Sequence, residues 1–245
     1  MVSISKVISI FRRDGLYATF KKAISFAYNH YIAPLLPLTK AVYNGVDVKD
    51  ARLFDSILPW RDKDKPYWEY NTIRGIESNV NKGDVVVVVG GGLGVTAVRA
   101  AQEAGCSGQV FVYEGSSKRI TQLQDTIERN DVSDRVDITH GVVGPLISLD
   151  GVAGDAIHVS PEKLPECDVL ELDCEGAEIE ILEKLTIRPG VILVESHGMN
   201  GATSSKIEDI LKEMSYSVVS KEPADKVLKE YCVENDIYNL VAVRD

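Results

Sequence analysis

The chain has 245 residues, of which 44% are apolar and 26% are charged. With roughly 150 residues as a typical domain, this length indicates one large domain with a small addition. The charged fraction is that of a globular protein and excludes a disordered or fibrous one. Acidic residues outnumber basic ones, 37 to 27, for a net charge of −10. Because nucleic acids bind to basic surfaces, this balance argues against a nucleic-acid-binding protein.

The N-terminal segment departs from this acidic balance, since residues 1–46 contain six Lys or Arg and a single acid, Asp14. Apolar residues recur at helical spacing over 3–33, which predicts a helix that ends at Pro34. No apolar run approaches the roughly 18 residues of a spanning helix, and no cleaved secretory signal is expected. Residues 1–33 could lie on an anionic membrane or, equally well, cover a sheet edge or a ligand pocket of the main domain. We expect a cytoplasmic protein, either free or peripheral at the membrane's cytoplasmic face.

The rest of the chain is typical of an α/β fold. Asn44-Gly45 predicts a hairpin turn, and residues 50–72 are expected to be largely irregular. From Asp84 onward strands and helices alternate, which predicts a doubly wound, mostly parallel, seven-stranded Rossmann-like sheet. We therefore divide the chain into a helical and hairpin extension, 1–66, and a main domain, 67–245. The strands are expected at 85–89, 109–113, 135–141, 168–173, 191–195, 216–221 and 237–243, with two less regular ones at 145–149 and 155–159. The helices are expected at 69–81, 95–105, 117–130, 177–186, 203–214 and 224–231.

A glycine-rich loop follows the first strand of this sheet, in VVVVVGGGLGVTAVRAA. Its glycines, Gly90, Gly91, Gly92 and Gly94, lie between a strand and a helix, where backbone N–H groups can approach a ligand. Twenty residues after Gly94, Glu114 ends the second strand, and a carboxylate there can bind the hydroxyls of a ribose. The short GxGxG spacing suits a nucleoside without a pyrophosphate better than it suits NAD. A tight turn that needs glycine only for packing is the structural alternative.

An acidic motif, DVLELDCEGAE, follows the fourth strand. Asp173 and Glu175 come at the carboxyl end of this strand, where ligands bind in open α/β sheets. Carboxylates this close repel one another unless a cation lies between them. Glu178 and Glu180 fit a simpler explanation, because acids in the first turn of a helix stabilise its dipole.

Together, the GGGLG loop and LELDCEGAEIEILEKL resemble the FkbM-type S-adenosylmethionine-dependent methyltransferases, over about residues 68–200. The resemblance implies a methyltransferase sheet with S-adenosyl-L-methionine as the cofactor. It places the cofactor on Gly90–Gly94 and Glu114, with Asp173 and Glu175 lining the pocket. The segment YNHYIAPLLP is similar to archaeal relatives in glycan assembly, among them hexuronic acid methyltransferases of S-layer N-glycosylation. That likeness implies a sugar acceptor in a glycan or lipid-linked glycan, methylated on a carboxylate or a hydroxyl.

The chain departs from the family pattern at two positions. Val88 stands where the family has an acid that helps to hold the methionine end of the cofactor, and Glu171 stands where a basic residue is common. Glu69, shortly before the loop, could take over the role of the missing acid.

The fifth strand ends in VILVESHGMN, which brings Glu195 and His197 to the same edge of the sheet. In similar methyltransferases this edge faces the acceptor, and histidine is a natural general base. We therefore predict His197, Glu195 and Asp173 as catalytic residues, although His197 could also be a loop residue without a task.

A metal site is not expected from the sequence. The four cysteines form no CxxC pair, and Asp173 and Glu175 lack further ligands at a convincing spacing. Two other functions remain open: a catalytically inactive binding protein, because of Val88, and an NAD-dependent oxidoreductase, which also uses a glycine loop. The sequence does not indicate an oligomeric state.

Overall fold

The structure is a computed structural model that describes residues 20, 23–58, 63–148 and 151–245. These residues form two compact units. The first contains the described residues up to 41 and those of 49–64, and the second contains 42–48 and 65–245.

In the first unit, residues 23–27 are helical and continue into a π-helix, Tyr28–Ile32, and a 3₁₀ turn, Ala33–Leu35. The side chain of Tyr28 is buried, and its hydroxyl donates to the Asp55 carboxylate at 3.1 Å. Most of the helix and membrane segment predicted for residues 1–33 lies outside the described residues. In the part that the structure describes, no helix is long and apolar enough to cross a membrane.

The predicted hairpin is present, with strands β1 (Leu38–Tyr43) and β2 (Val46–Arg52). Asn44 and Gly45 both have positive φ, at 46° and 83°, which is the backbone that a two-residue type I′ turn requires. The region that we expect to be irregular therefore begins only after Arg52.

The second unit is built on an eight-stranded sheet of order β6-β5-β4-β3-β7-β8-β10-β9. All neighbouring strands are parallel except β10, which is antiparallel to both β8 and β9. The strands are β3 (Val85–Val89), β4 (Gln109–Glu114), β5 (Val136–Val143), β6 (Ile157–Val159), β7 (Val169–Leu172), β8 (Val191–Glu195), β9 (Tyr216–Pro223) and β10 (Tyr238–Arg244).

The doubly wound α/β fold is thus confirmed, with one strand more than the seven predicted. The additional strand, β6, lies at the edge of the sheet and corresponds to the less regular strand expected at 155–159. Its side chains are exposed or half-buried, so it lacks the apolar run of a buried strand. The strand expected at 145–149 is absent from its described residues, 145–148.

Six helices cover the sheet in the described chain: α1 (Tyr70–Asn79), α2 (Val95–Ala104), α3 (Ser117–Arg129), α4 (Glu178–Lys184), α5 (Ser204–Glu213) and α6 (Lys229–Glu234). Ser116 caps α3, since its side chain accepts from the N–H of Arg119. The last helix begins later than the predicted 224, because the Asp225 carboxylate accepts from the N–H groups of Val227 and Leu228 and forms a turn there.

The order of the strands decides where a ligand can bind. From the centre of the sheet the chain proceeds outward through β3, β4, β5 and β6, and then returns to place β7 and β8 on the other side of β3. The crevice at the carboxyl ends of β3 and β7 is therefore a topological switch point, the usual ligand site of an open α/β sheet. The strands are buried along their length, so the residues at and beyond their carboxyl ends reach this crevice.

Candidate active site

A cavity of about 340 Å³ lies at the carboxyl ends of the strands. Most of the site residues predicted from the sequence line it: Glu69, Gly90, Gly92, Glu114, Asp173, Glu175 and Glu195. The structure therefore brings the glycine loop and the acidic motif together in one cavity. Gly91, Gly94 and His197 do not line it, although the His197 ring contacts residues that do.

The glycine loop serves both packing and the cavity, through different residues. A Cβ on Gly90 would lie 1.7 Å from the backbone oxygen of Asp173, so no other residue fits where the loop crosses β7. Gly92 has φ of +51°, and the nearest atom to its ideal Cβ is the oxygen of Gly90, at 4.0 Å. Packing thus explains why position 90 requires glycine, whereas Gly92 faces open space in the cavity.

Glu114 holds the loop in place from the end of β4. Its two carboxylate oxygens accept from the N–H groups of Gly92 and Ser116, each at 2.6 Å. Burial raises the pKa of Glu114, and these two hydrogen bonds oppose the rise. Each oxygen keeps a further lone pair, so the carboxylate can still accept a hydroxyl from the cavity.

Glu178 connects the parts of the acidic motif through hydrogen bonds. From the sequence, its interaction with the helix dipole was a sufficient reason for an acid at this position. Its side chain is fully buried, and Oε1 accepts from the N–H groups of Cys174 and Gly176 at 3.0 and 3.2 Å. The same oxygen lies 2.9 Å from Nδ1 of His197. Glu178 therefore fixes the turn after β7 and joins it to the segment after β8.

The other ring nitrogen of His197 faces a group of carboxylates. Nε2 lies 3.5 Å from Oδ1 of Asp173, 3.7 Å from Oε2 of Glu175 and 3.7 Å from Oε1 of Glu195. Burial alone would lower the pKa of His197, but the hydrogen bond to Glu178 and the surrounding negative charges raise it to about 10. In this arrangement the imidazole is protonated at neutral pH, which argues against the general-base role that the sequence suggests.

Four carboxyl groups, Glu69, Glu171, Asp173 and Glu195, form what we refer to as the carboxyl cluster. Burial raises the pKa of each, and repulsion from neighbouring carboxyl groups adds to the rise, to about 8 for Glu69 and about 6 for Asp173, and well above the usual range for Glu171 and Glu195. Oε2 of the buried Glu171 has no hydrogen-bond partner among the described residues. A site with this surplus of carboxyl groups favours a cationic ligand.

The two departures from the family pattern lie side by side. Val88 on β3 is the register partner of Glu171 on β7, and both side chains are buried. Register partners face the same side of a sheet. An acid at 88 and a base at 171 would thus be adjacent, and this chain replaces both at once.

Three residues of the site were not predicted as such from the sequence. Glu178 and Glu171 belong to the network, and Trp68 lines the cavity beside Glu69. Trp68 directly precedes Glu69, which was singled out, but nothing in the sequence shows that the aromatic side chain reaches the cavity.

The strand order and the cavity at the carboxyl ends of the strands define a Rossmann-like α/β fold with a ligand site at its switch point. A transferase structure from Pyrococcus horikoshii is similar in fold, with a TM-score of 0.53 and 14% identity over 91% of this chain and 82% of that one. The tRNA m1G37 methyltransferase of M. jannaschii has a TM-score of 0.55 and 14% identity over 86% of this chain and 55% of that one. At these identities the likeness concerns the fold alone. No curated protein sequence matches this chain.

The family follows from the sequence match. Residues 101–218 match the family model of the methyltransferase FkbM domain, so the chain carries an FkbM-type methyltransferase domain. It is an S-adenosylmethionine-dependent methyltransferase, as the resemblance implied, and the oxidoreductase alternative is set aside. Glu114, the acidic motif, Glu195 and His197 fall within the matched residues, whereas the glycine loop precedes them.

Two glycine variants separate packing from ligand binding. Gly90→Ala is expected to lose about 4 kcal/mol or more of unfolding free energy, since the new Cβ overlaps the Asp173 carbonyl. Gly92→Ala meets no atom and should lose only the cost of a left-handed alanine, about 1 kcal/mol. Urea unfolding without cofactor measures both, and equal losses would contradict this assignment.

The carboxyl cluster predicts that the ligand-free protein loses stability as pH rises from about 5 to 9. A carboxyl group with a raised folded pKa destabilises the fold once pH exceeds its unfolded value. Stability contributed by His197 is present below its unfolded pKa and is lost as pH rises toward about 10. Both effects have the same sign, and calorimetry from pH 5 to 9 measures their sum.

Glu171→Leu is the matched variant for that experiment, because it removes a buried carboxyl group with an unpaired oxygen. It should raise the melting temperature at pH 8 and reduce the slope of stability against pH. A melting temperature that is independent of pH in the wild-type protein would contradict the shifted pKa values.

Proposed function

We propose that this enzyme transfers the methyl group of S-adenosylmethionine to a sugar hydroxyl in a glycan or lipid-linked glycan. The observation that carries the proposal is that one cavity joins the glycine loop and Glu114 to the carboxyl groups of Asp173 and Glu195. The glycine loop and Glu114 suit the nucleoside of the cofactor. The carboxyl groups of Asp173 and Glu195 suit the sulfonium and an acceptor that must give up a proton.

The charges of the cavity favour a hydroxyl over a carboxylate as the acceptor. A carboxylate would need a cation to orient it, but among the described residues that line the cavity the basic side chain is Arg119 alone. The acidic ones are Glu69, Glu114, Asp173, Glu175, Glu195 and Asp225. Several carboxyl groups can instead accept hydrogen bonds from the hydroxyls of a sugar, and Trp68 adds an aromatic surface.

The bound cofactor supplies an electrophilic methyl group on a sulfonium ion. Asp173 accepts the proton of the acceptor hydroxyl, since His197 Nε2 is protonated and cannot. The pKa of Asp173, about 6, keeps its carboxyl group ionised at neutral pH. This carboxylate would take up the proton that the acceptor hydroxyl loses when its oxygen receives the methyl group.

The lipid-linked form of the acceptor is supported by the first unit. Phe26, Tyr31, Ile32 and Leu35 are exposed there, and apolar side chains on a basic segment are suited to an anionic membrane.

Glu69 is proposed to replace the acid missing at Val88, and the pH dependence of cofactor affinity tests this role. Ligand-free Glu69 has a pKa of about 8, so a bound cation has to displace its proton, and affinity should rise from pH 6 to 8. Glu69→Gln should bind about tenfold more weakly at pH 8, with a flatter pH profile. Isothermal titration measures both, with Glu128→Gln, an exposed acid on α3, as the control. An unchanged cofactor affinity in Glu69→Gln would contradict the proposed role of this residue.

The acceptor is tested with methyl-labelled cofactor and a uronic-acid-containing glycolipid, followed by mild alkali. A methyl ether on a hydroxyl survives this treatment, whereas a methyl ester on a carboxylate is released as methanol. We expect label that resists alkali, and expect Asp173→Asn to lose at least about a hundredfold in turnover while it still binds cofactor. Glu180→Gln, an acid on the first turn of α4, is the control. Alkali-labile label would favour the carboxylate acceptor, and cofactor binding without transfer to any glycan would favour the inactive binding protein.

A further inference from the structure

The arrangement around His197 Nε2 is unusual for a hydrogen-bonding histidine. The ring is nine-tenths buried, and its Nδ1 is paired with Glu178 at 2.9 Å. Nε2 makes no hydrogen bond to any residue that the structure describes, although three carboxylate oxygens lie 3.5–3.7 Å away. An N–H···O bond is typically about 2.9–3.0 Å long, so these oxygens surround the nitrogen at too great a distance to bind its proton well.

The same spacing fits ligands that share a metal ion. With metal–ligand bonds of about 2.1 Å, neighbouring ligands of a tetrahedral site lie about 3.4 Å apart. The ligand atoms of Asp173, Glu195 and His197 all lie within 4.8 Å of one another. Small rotations of two carboxylates, which are partly exposed to the cavity, would bring them to coordination distance.

The surroundings of the ring provide a second, independent observation. A histidine that binds a metal usually donates its other N–H to a carboxylate, which fixes the tautomer and the ring orientation. Glu178 does this from a fully buried position, held by the N–H groups of Cys174 and Gly176. Glu171, also buried, has an unpaired Oε2 and lies close enough to Asp173 and Glu195 to be affected by the charge of both.

We propose that Asp173, Glu195 and His197 form a binding site for one divalent transition-metal ion, with Glu178 as the residue that positions the histidine. One imidazole and two carboxylates are the ligand set of Mn²⁺, Co²⁺ or Zn²⁺ rather than of Ca²⁺. The two carboxylates neutralise the ion, so the remaining acidic lining of the cavity is unchanged. In the absence of the ion, a proton on Nε2 occupies the same place.

The position of this site at the cavity wall gives the ion a role that rests on the proposed function. Two of the three ligands, Asp173 and Glu195, line the cavity in which the acceptor hydroxyl would lie. An ion there would coordinate the acceptor oxygen and make its proton more acidic. Metal binding itself does not depend on that role.

The site is tested by titrating untagged, full-length protein with Co²⁺ and recording the visible absorption of the ion. We expect saturation at one equivalent per chain, with a spectrum distinct from that of aqueous Co²⁺. His197→Gln and Glu195→Gln should each weaken binding at least about tenfold, and Glu178→Gln about 10–100-fold. His158→Gln removes an exposed imidazole on β6 and should bind Co²⁺ as the wild type does.

Cofactor binding and melting temperature are measured on the same samples. They separate the proposed metal site from the proposed methyl transfer to a sugar hydroxyl. Variants that still melt cooperatively and bind S-adenosylmethionine but lose the Co²⁺ spectrum would support the site. No saturable spectrum in the wild type, or equal weakening by His158→Gln, would overturn it. Either result leaves the proposed acceptor to be decided by the labelling experiment.

Discussion

The active-site edge depends on one buried contact, the pair between the Glu178 carboxylate and the His197 ring. Burial would raise the pKa of Glu178, but the hydrogen bond from His197 and two backbone N–H groups lower it, so the carboxylate stays charged. Because Glu178 also fixes the turn after β7, this pair sets the distance between the segments that follow β7 and β8. The positions of Asp173 and Glu195 relative to each other follow from it.

The same edge shows how positions far apart in the sequence share one environment. Val88 and Glu171 are adjacent across β3 and β7, and both side chains are buried. The two positions at which the sequence departs from the family pattern that it resembles are therefore neighbours in the sheet. A substitution at one of them changes the surroundings of the other, so the two positions are best interpreted together.

Much of the fold could be predicted from the sequence, because buried parallel strands such as Val85–Val89 are continuous β-branched runs and glycine marks the turn after β3. Strand β6 was less certain because its exposed side chains carry no such pattern. Within the site, the sequence predicted that Asp173, Glu195 and His197 share one edge, since each follows a parallel strand.

The contacts themselves could not be predicted. Nineteen residues separate Glu178 from His197, and their meeting depends on the tight turn in which His197 N–H donates to the Ala202 oxygen. The protonation state of His197 also differed from expectation. An unperturbed histidine is a base near neutral pH, whereas the carboxylates around this one raise its pKa and keep the ring protonated. The possible metal ligands likewise became visible only in three dimensions.

The two hydrogen bonds of Glu114 fix the part of the cavity where we propose that the nucleoside of the cofactor binds. Since the carboxylate already holds Gly92 and Ser116, this part of the cavity has its shape before any ligand arrives. Little conformational entropy then remains to be lost there on binding. This part of the cavity would therefore select among nucleosides as a preformed site. Any conformational change on binding would occur in the opposite wall of the cavity.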